Sequence, residues 1–332
     1  MLYRRLGRTE IDVSVVALGC WAISTKDFFW DGQARDDSLA AIRTSLDAGV
    51  NFFDTAPAYG SGESEEILGE ALGRHRPKVV IATKVPPTHL EPALLRESCE
   101  ASLRALGTDY VDLLQVHWPN AKLPWEPTYR ALESLKAEGK IRAIGVSNFG
   151  VSYLDELRET GGVETNQLPY SLLWRAIEFE ILPRCVTHEI GVLCYSPLCQ
   201  GLLTGKFAAP QEVPDKRARS RLFPAERALT RHGEAGCQAE VFAALDALSA
   251  IARQIGQPLS RLAMAWLLGR PGVTAVVAGA RNAAQAAENV HAGELSLGED
   301  LAAQLAAVTE QVKNRIGPNA DPWEHVSRME RP

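Results

Sequence analysis

Four side chains that could together move a proton stand at comparable places along the chain, each at or just beyond the end of a short apolar run. Val50 to Phe53 is apolar enough for a strand buried on both faces, while Pro57 and Gly60 forbid a regular element after it. Asp54 therefore closes that strand and Tyr59 sits on the loop that leaves it; Lys84 follows the run Val79 to Thr83, and His117 follows Val111 to Val116. Tyrosine is a poor acid near neutrality, with a reference pKa of about 10. An adjacent ammonium favours tyrosinate, and a carboxylate can hold that ammonium in place. Beside Lys84 and Asp54, Tyr59 is thus predicted to have its pKa brought toward working pH and to act as a general acid. His117 would donate a hydrogen bond that orients a carbonyl. Such a site protonates an oxygen while something else attacks the carbon. Taken singly, each residue has a structural reading: a turn-forming Asp54, a packing Tyr59, a Lys84 paired with a surface acid, a satisfied core His117.

Elements that would gather these four residues follow from the periodicity. Leu2 to Leu6 and Ile11 to Ser14 flank Gly-Arg-Thr-Glu, a hairpin pattern, before the strand Val15 to Leu18. Helices are predicted over Ser38 to Ala48, Glu63 to Leu72, Glu91 to Leu106 and Glu126 to Glu138, each stopped by a glycine, and over Tyr153 to Glu159 and about Phe179 to Glu189. Further helices are read over Ala239 to Ile255, Ser260 to Leu268 and Ala283 to Val290. Strands are predicted at Val50 to Phe53, Val79 to Thr83, Val111 to Val116, Ile141 to Val146, Glu164 to Asn166, Val192 to Tyr195 and Ala275 to Ala278. Eight buried strands alternating with helices demand a parallel sheet covered by helices, and favour a closed α/β barrel, the (β/α)8 TIM barrel. No linker divides the chain, so residues 1–332 are read as one domain. The hairpin would plug the bottom, and the carboxyl-terminal segment from Leu301 would begin as a helix and end in a Trp-bearing tail reaching over the top.

Composition narrows the function classes. The 332 residues are 46% hydrophobic and 23% charged, enough for a large core. A net charge of -6 argues against bulk attraction to nucleic acid or an anionic membrane. The one basic run, Lys216 to Arg221, reads as a solvated loop face. Six cysteines lie without metal-ligand spacing or a Cys-x-x-Cys pair and are read as reduced thiols, with no metal site. The amino terminus lacks an apolar signal core and no apolar run reaches membrane-spanning length, which makes the cytoplasm the default address. The sequence does not set the oligomeric state, with a monomer slightly favoured.

In a barrel of this kind chemistry belongs to the loops at the carboxyl ends of the strands. Those positions are polar throughout: Asp54, Lys84, His117, Ser147-Asn148, Asn166-Gln167 and Tyr195-Ser196. The motifs Asp54-Thr-Ala-x-x-Tyr59-Gly, Ala82-Thr-Lys84-Val, Gln115-Val-His117-Trp, Gly145-Val-Ser-Asn148-Phe, Asn166-Gln167-x-x-Tyr170 and Tyr195-Ser-Pro-Leu198 occur in the order and spacing of the aldo-keto reductase family, and the chain resembles it over nearly its whole length. That resemblance implies a barrel oxidoreductase using NAD(P)(H), with Asp54, Tyr59, Lys84 and His117 as catalytic tetrad and Tyr59 as proton donor. It implies that Ser147, Asn148 and Gln167 hold the nicotinamide carboxamide and that Tyr195 stacks on its ring. Ser196, Leu198, Gly201 and the run to Lys206 are similar to the segment covering the pyrophosphate. No Gly-x-Gly-x-x-Gly follows a strand, and Gly201-Leu-Leu-Thr-Gly-Lys206 is one residue short of a P-loop. Gly279-Ala-Arg281-Asn282 with Gln285, Glu288 and Asn289 resembles the family's adenosine-phosphate segment, and Arg281 beside a helix amino terminus suits a doubly charged phosphate. NADP(H) is therefore expected over NAD(H). The tail is similar to that of bacterial-type members, which puts a steroid-sized substrate in doubt.

The expected reaction is reduction of an aldehyde or ketone, or oxidation of a sugar or polyol hydroxyl, with Trp21 and Trp118 as apolar walls of the pocket. Phe28, Phe29, Trp30 and Trp323 lie near the mouth too, where each has an ordinary packing reading. Two other classes compete. One is a cofactor-binding regulatory subunit with little turnover, since fold does not fix function; the complete tetrad speaks against it. The other is a Schiff-base lyase using Lys84, disfavoured because a lysine paired with Asp54 stays protonated and is a poor nucleophile.

Overall fold

Eight apolar runs separated by helices close into a barrel in the computed structural model, which describes residues 1–331. The chain opens with the antiparallel hairpin β1 (Tyr3–Arg5) and β2 (Asp12–Ser14). The barrel strands follow as β3 (Val16–Gly19), β4 (Phe52–Asp54), β5 (Val80–Val85), β6 (Val111–Val116), β7 (Ile141–Ser147), β8 (Thr165–Pro169), β9 (Gly191–Tyr195) and β10 (Val273–Gly279). They pair in parallel in chain order, and β10 returns to β3. The hairpin plugs one end: Leu6, Ile11 and Val13 join Ala17, Phe52, Val80, Leu113 and Leu193 in the apolar cluster that fills the barrel. A second, larger cluster lies between the strands and the surrounding helices.

Helices α1 (Arg35–Asp47), α2 (Glu63–Leu72), α3 (Pro92–Leu106) and α4 (Trp125–Ala137) stop where the sequence expects, with Gly107 closing α3 in the left-handed conformation that glycine adopts freely. Next come α5 (Val151–Thr160), α6 (Ile181–Thr187), α7 (Gln238–Gln254), α8 (Leu259–Leu268) and α9 (Ala283–Val290). Helix α6 is shorter than its periodicity suggests. It is preceded by a separate 3-10 turn at Ala176–Glu178, and Pro183 is accommodated because it falls in the first turn. The carboxyl-terminal helix is likewise two, α10 (Glu299–Val308) and α11 (Glu310–Ile316). The break has a visible partner: buried Arg175 donates to the carbonyl of Ala306 at 2.8 Å and to the hydroxyl of Thr309 at 3.2 Å. No helix among the described residues is long and apolar enough to cross a membrane.

Candidate active site

Strand register explains why four residues distant in sequence meet. Asp54 pairs with Gly19 on one side and Ala82 on the other, and Lys84, two residues past Ala82 on the same face of β5, pairs with Gln115. The carboxyl ends of β4, β5 and β6 thereby bring Asp54, Lys84 and Gln115 into one buried layer. Lys84 Nζ donates to Asp54 Oδ1 at 2.6 Å, to the carbonyl of Thr55 at 2.9 Å and to the Tyr59 hydroxyl at 3.4 Å. The other carboxylate oxygen, Asp54 Oδ2, accepts from Gln115 Nε2 at 3.1 Å and Gln167 Nε2 at 2.7 Å. A side chain at Gly145 would run into Thr165 and crowd Leu113 and the Gln115 Cγ, so the bare backbone there leaves room for the Gln115 side chain.

Burial alone would depress the Lys84 ammonium, but Asp54 and Tyr59 outweigh it and hold its pKa above the ordinary value. Tyr59 behaves differently from the sequence expectation. Burial raises its pKa above 10.0, Lys84 offsets this only in part, and Asp54 pushes it further up. The resting group is a neutral phenol rather than a pre-acidified one. His117 closes the set, its ring 6.1 Å from that of Tyr59 at 83°. Burial and the Lys84 charge push its pKa down to about 3, so it is a neutral imidazole.

The first turn of α2 grips this floor through three consecutive residues, none assigned a role from sequence. Glu63 accepts from the hydroxyls of Ser24 and Thr25 at 2.7 and 2.8 Å, which pins the loop after β3. The Ser64 hydroxyl lies 2.9 Å from that of Thr55 and donates to the carbonyl of Cys20. Glu65 accepts from Thr83, the neighbour of Lys84, at 2.6 Å. Gly60, with φ of 57°, carries the turn past Ser24, into which any side chain would collide. Gln115 belongs to the motif Gln115-Val-His117-Trp, and its place near the end of β6, two residues before His117, is the signal the sequence offers for it.

On the next strand ends the residues expected around a nicotinamide are hydrogen-bonded to one another. Ser147 donates to the carbonyl of Gln167 at 3.0 Å, and Asn148 Nδ2 donates to the carbonyl of His117 and to Ser147, both at 3.0 Å. Asn148 Oδ1 accepts from the Tyr195 hydroxyl at 2.9 Å. Trp21 stacks on Tyr59 with ring centroids 6.1 Å apart, and Trp118 lies under the Arg328 guanidinium at 3.9 Å. The tail does cross the mouth: Trp323 lines a cleft with Tyr195, Ser196, Gln200 and Arg217. In the last unit Asn282 caps α9 by accepting from the Gln285 backbone at 3.0 Å, Gln285 accepts from the Arg281 backbone, and Asn289 holds the carbonyl of Gly279. Glu288 is engaged elsewhere, with Arg261 at 3.1 Å.

The basic run is not a solvated face. Lys216 pairs with Asp31 at 2.7 Å, the Arg217 guanidinium lies 3.6 Å above Trp30, and Arg221 is buried, donating to the carbonyls of Asn319 and Ile316. Its aromatic partners come from the loop after β3, from Trp174 after β8 and from Trp323 in the tail, contacts between distant segments that local charge counting does not register. Four cations on this side, Lys206, Arg217, Arg219 and Arg281, have no ion-pair partner among the described residues. Arg281 donates to Gln33 and to the carbonyl of Asp31, and Arg217 to the carbonyl of Phe29. Burial first, then mutual repulsion, lowers the pKa of Lys206 and Arg217. Gln200 keeps a buried side-chain oxygen without a partner, and Ser196, Cys199 and Gln200 hold left-handed backbone beside Gly201. A donor set of this kind, cationic and lacking carboxylates, fits a phosphate-bearing dinucleotide.

The profile of the Aldo/keto reductase family matches residues 15–310. An NADH-specific methylglyoxal reductase of Escherichia coli is 34% identical over 93% of this chain and 98% of its own length. Among solved structures, the glycerol dehydrogenase AKR11B4 from Gluconobacter oxydans superposes with a TM-score of 0.78 at 33% identity, covering 96% of both chains. An aldo-keto reductase from Klebsiella pneumoniae in complex with NADPH gives 0.73 at 30% identity, over 98% of this chain and 99% of that one. With its eight-stranded parallel barrel and this breadth of similarity, the chain belongs to the aldo/keto reductase family.

Proposed function

We propose that this chain is an NADPH-dependent reductase of aldehydes or ketones in which Tyr59 donates the proton. The observation that carries the proposal is the Lys84 ammonium, held at 2.6 Å by Asp54 and set 3.4 Å from the Tyr59 hydroxyl in a buried pocket. When bound, a reduced nicotinamide supplies the hydride that the carbonyl carbon accepts. Tyr59 gives its phenolic proton to the carbonyl oxygen as charge builds there, leaving tyrosinate beside Lys84. The Lys84 charge is thus felt most as the proton departs. That is how a phenol with a raised resting pKa serves as an acid, because the stabilisation is realised in the transition state. Asp54 keeps Lys84 in position, Gln115 and Gln167 keep Asp54 in position, and neutral His117 offers a ring N–H to orient the carbonyl. In the reverse direction tyrosinate accepts the alcohol proton.

Ser147, Asn148, Gln167 and Tyr195 are assigned to the nicotinamide end, and Ser196, Leu198, Gly201, Lys206 and Arg217 to the pyrophosphate. Gly279, Arg281, Gln285 and Asn289 are assigned to the adenosine phosphate. Glu288 belongs to that last group only if it leaves Arg261. The preference for NADPH rests on Arg281, which has no carboxylate partner beside the α9 amino terminus, whereas the Escherichia coli relative is named for NADH. Trp21, stacked on Tyr59, and Trp118 are assigned to the walls of the substrate pocket. We place the activity in the cytoplasm, in one domain over 1–332, a reading supported by six unpaired thiols. Following NADPH and NADH consumption by the purified protein against a panel of small aldehydes, and NADP reduction against polyols, tests the proposal. Turnover with NADPH supports it, and cofactor binding without turnover in either direction contradicts it.

A further inference from the structure

One cation of the same loop is left over by the cofactor assignment. Arg219 lies two residues past Arg217, its guanidinium 3.6 Å above the Phe29 ring, 4.7 Å from Trp323 and 5.7 Å from Trp21. Trp21 in turn stacks on Tyr59, so Arg219 sits one ring beyond the proposed proton donor. Its neighbours Arg217, Ser220 and Trp323 line the cleft that runs from Tyr195. Arg219 Nε donates to the carbonyl of Lys216 at 3.1 Å, while Nη2 is buried without an acceptor.

No carboxylate among the described residues comes within ion-pair distance of Arg219. The acids of this rim have other partners: Asp27 accepts from the Trp21 indole at 2.9 Å, Glu324 faces Arg231, and Asp321 holds Arg328. Aromatic rings take the flat faces of a guanidinium, which stabilises its charge yet leaves its in-plane N–H groups for acceptors, of which the Lys216 carbonyl takes only Nε. Those groups are the fork that matches a carboxylate. Burial, then repulsion from Arg217 and Arg231, offset only in part by Asp27, pushes the Arg219 pKa down to about 10, which leaves it charged at neutral pH. An anion arriving there relieves the repulsion and satisfies the orphaned donor.

We propose that Arg219 is a specificity-determining residue that receives the carboxylate end of a carbonyl substrate whose reacting carbonyl lies against Tyr59 across a flat, roughly ring-sized spacer. The inference rests on the reductase reading of the site. Its test compares 4-carboxybenzaldehyde with methyl 4-formylbenzoate, the neutral ester of the same shape, in the wild type, R219Q and R219K with NADPH held saturating. The wild type is expected to favour the acid in kcat/KM. R219Q should lower that acid-to-ester ratio by about tenfold or more, the size of a lost charge-assisted bidentate contact, and R219K should fall between because it keeps charge without the fork. A wild type without preference for the acid overturns the inference, and decides the matter even should R219Q fail to fold by circular dichroism. An unchanged ratio in folded R219Q, or an effect confined to the KM of NADPH, also overturns it. Reduction of neither aldehyde removes the reductase reading itself and the inference with it, whereas good reduction of the ester leaves that reading standing and isolates the failure to Arg219.

Discussion

At the floor of the barrel mouth, Asp54, Lys84, Gln115 and Gln167 satisfy one another across strand ends; at the roof, Lys206, Arg217, Arg219 and Arg281 lie among aromatic rings and backbone carbonyls without a carboxylate between them. The floor is rigid because each donor is anchored to a strand whose register is fixed, and α2 braces it from behind through Glu63, Ser64 and Glu65. The roof is assembled from loops clasped by cation–π contacts, and these four cations have no ion-pair partner among the described residues. In the function proposed above, the closed network carries the chemistry and the open one recognises anions.

Changes at the two levels should therefore have different signatures, and the largest effects belong to the floor. Y59F removes the proton and should lower carbonyl reduction by about 10²- to 10⁴-fold while fluorescence titration finds NADPH affinity retained. Loss of cofactor affinity in that variant would blur the division between floor and roof. K84M strips a buried carboxylate of its cation. Urea unfolding should show a loss of about 3 kcal/mol, the low end for a broken buried pair because two amides still donate to Asp54. A roof change should leave folding alone and act on one ligand. R281A is expected to raise the KM of NADPH about tenfold and that of NADH far less, and equal effects on both cofactors would remove Arg281 from the phosphate. The smallest effect sharpens the bracing claim. S64A leaves the Thr55 hydroxyl without its partner and should reduce kcat by about threefold to tenfold at unchanged cofactor KM, the weight of one buried hydrogen bond.

Legibility followed the same division. Asp54, Lys84 and His117 each end a recognisable apolar run, so a barrel topology was enough to bring them together, and the structure does join them. Their electrostatic state was not legible in full. Proximity of Lys84 suggested an acidified Tyr59, but the balance turns on burial and on Asp54 standing behind the lysine, quantities set by packing. Gln115 was passed over because an interior glutamine has no motif chemistry until its acceptor is known. The roof was misread for a different reason. Lys216 to Arg221 looks like a surface charge run, and its partners Phe29, Trp30, Trp174 and Trp323 come from segments far away in sequence. Arg175, a buried arginine from the loop after β8, likewise donates to Ala306 and Thr309 where α10 gives way to α11, a contact that periodicity does not register.

The pH dependence of hydride transfer in single turnovers, followed in both directions for the wild type and Y59F, tests the central claim most directly. With Tyr59 as the proposed donor, reduction needs it protonated, so with its free-enzyme pKa raised above 10.0 the rate should stay level through neutral pH and fall only at the alkaline end. Oxidation, which requires tyrosinate, should rise along the same limb, and both limbs should vanish in Y59F. No step should appear near the ordinary histidine value, since His117 is held neutral down to about 3. A limb near 6.5, or wild-type-like reduction by Y59F, would contradict the assignment of the proton to Tyr59.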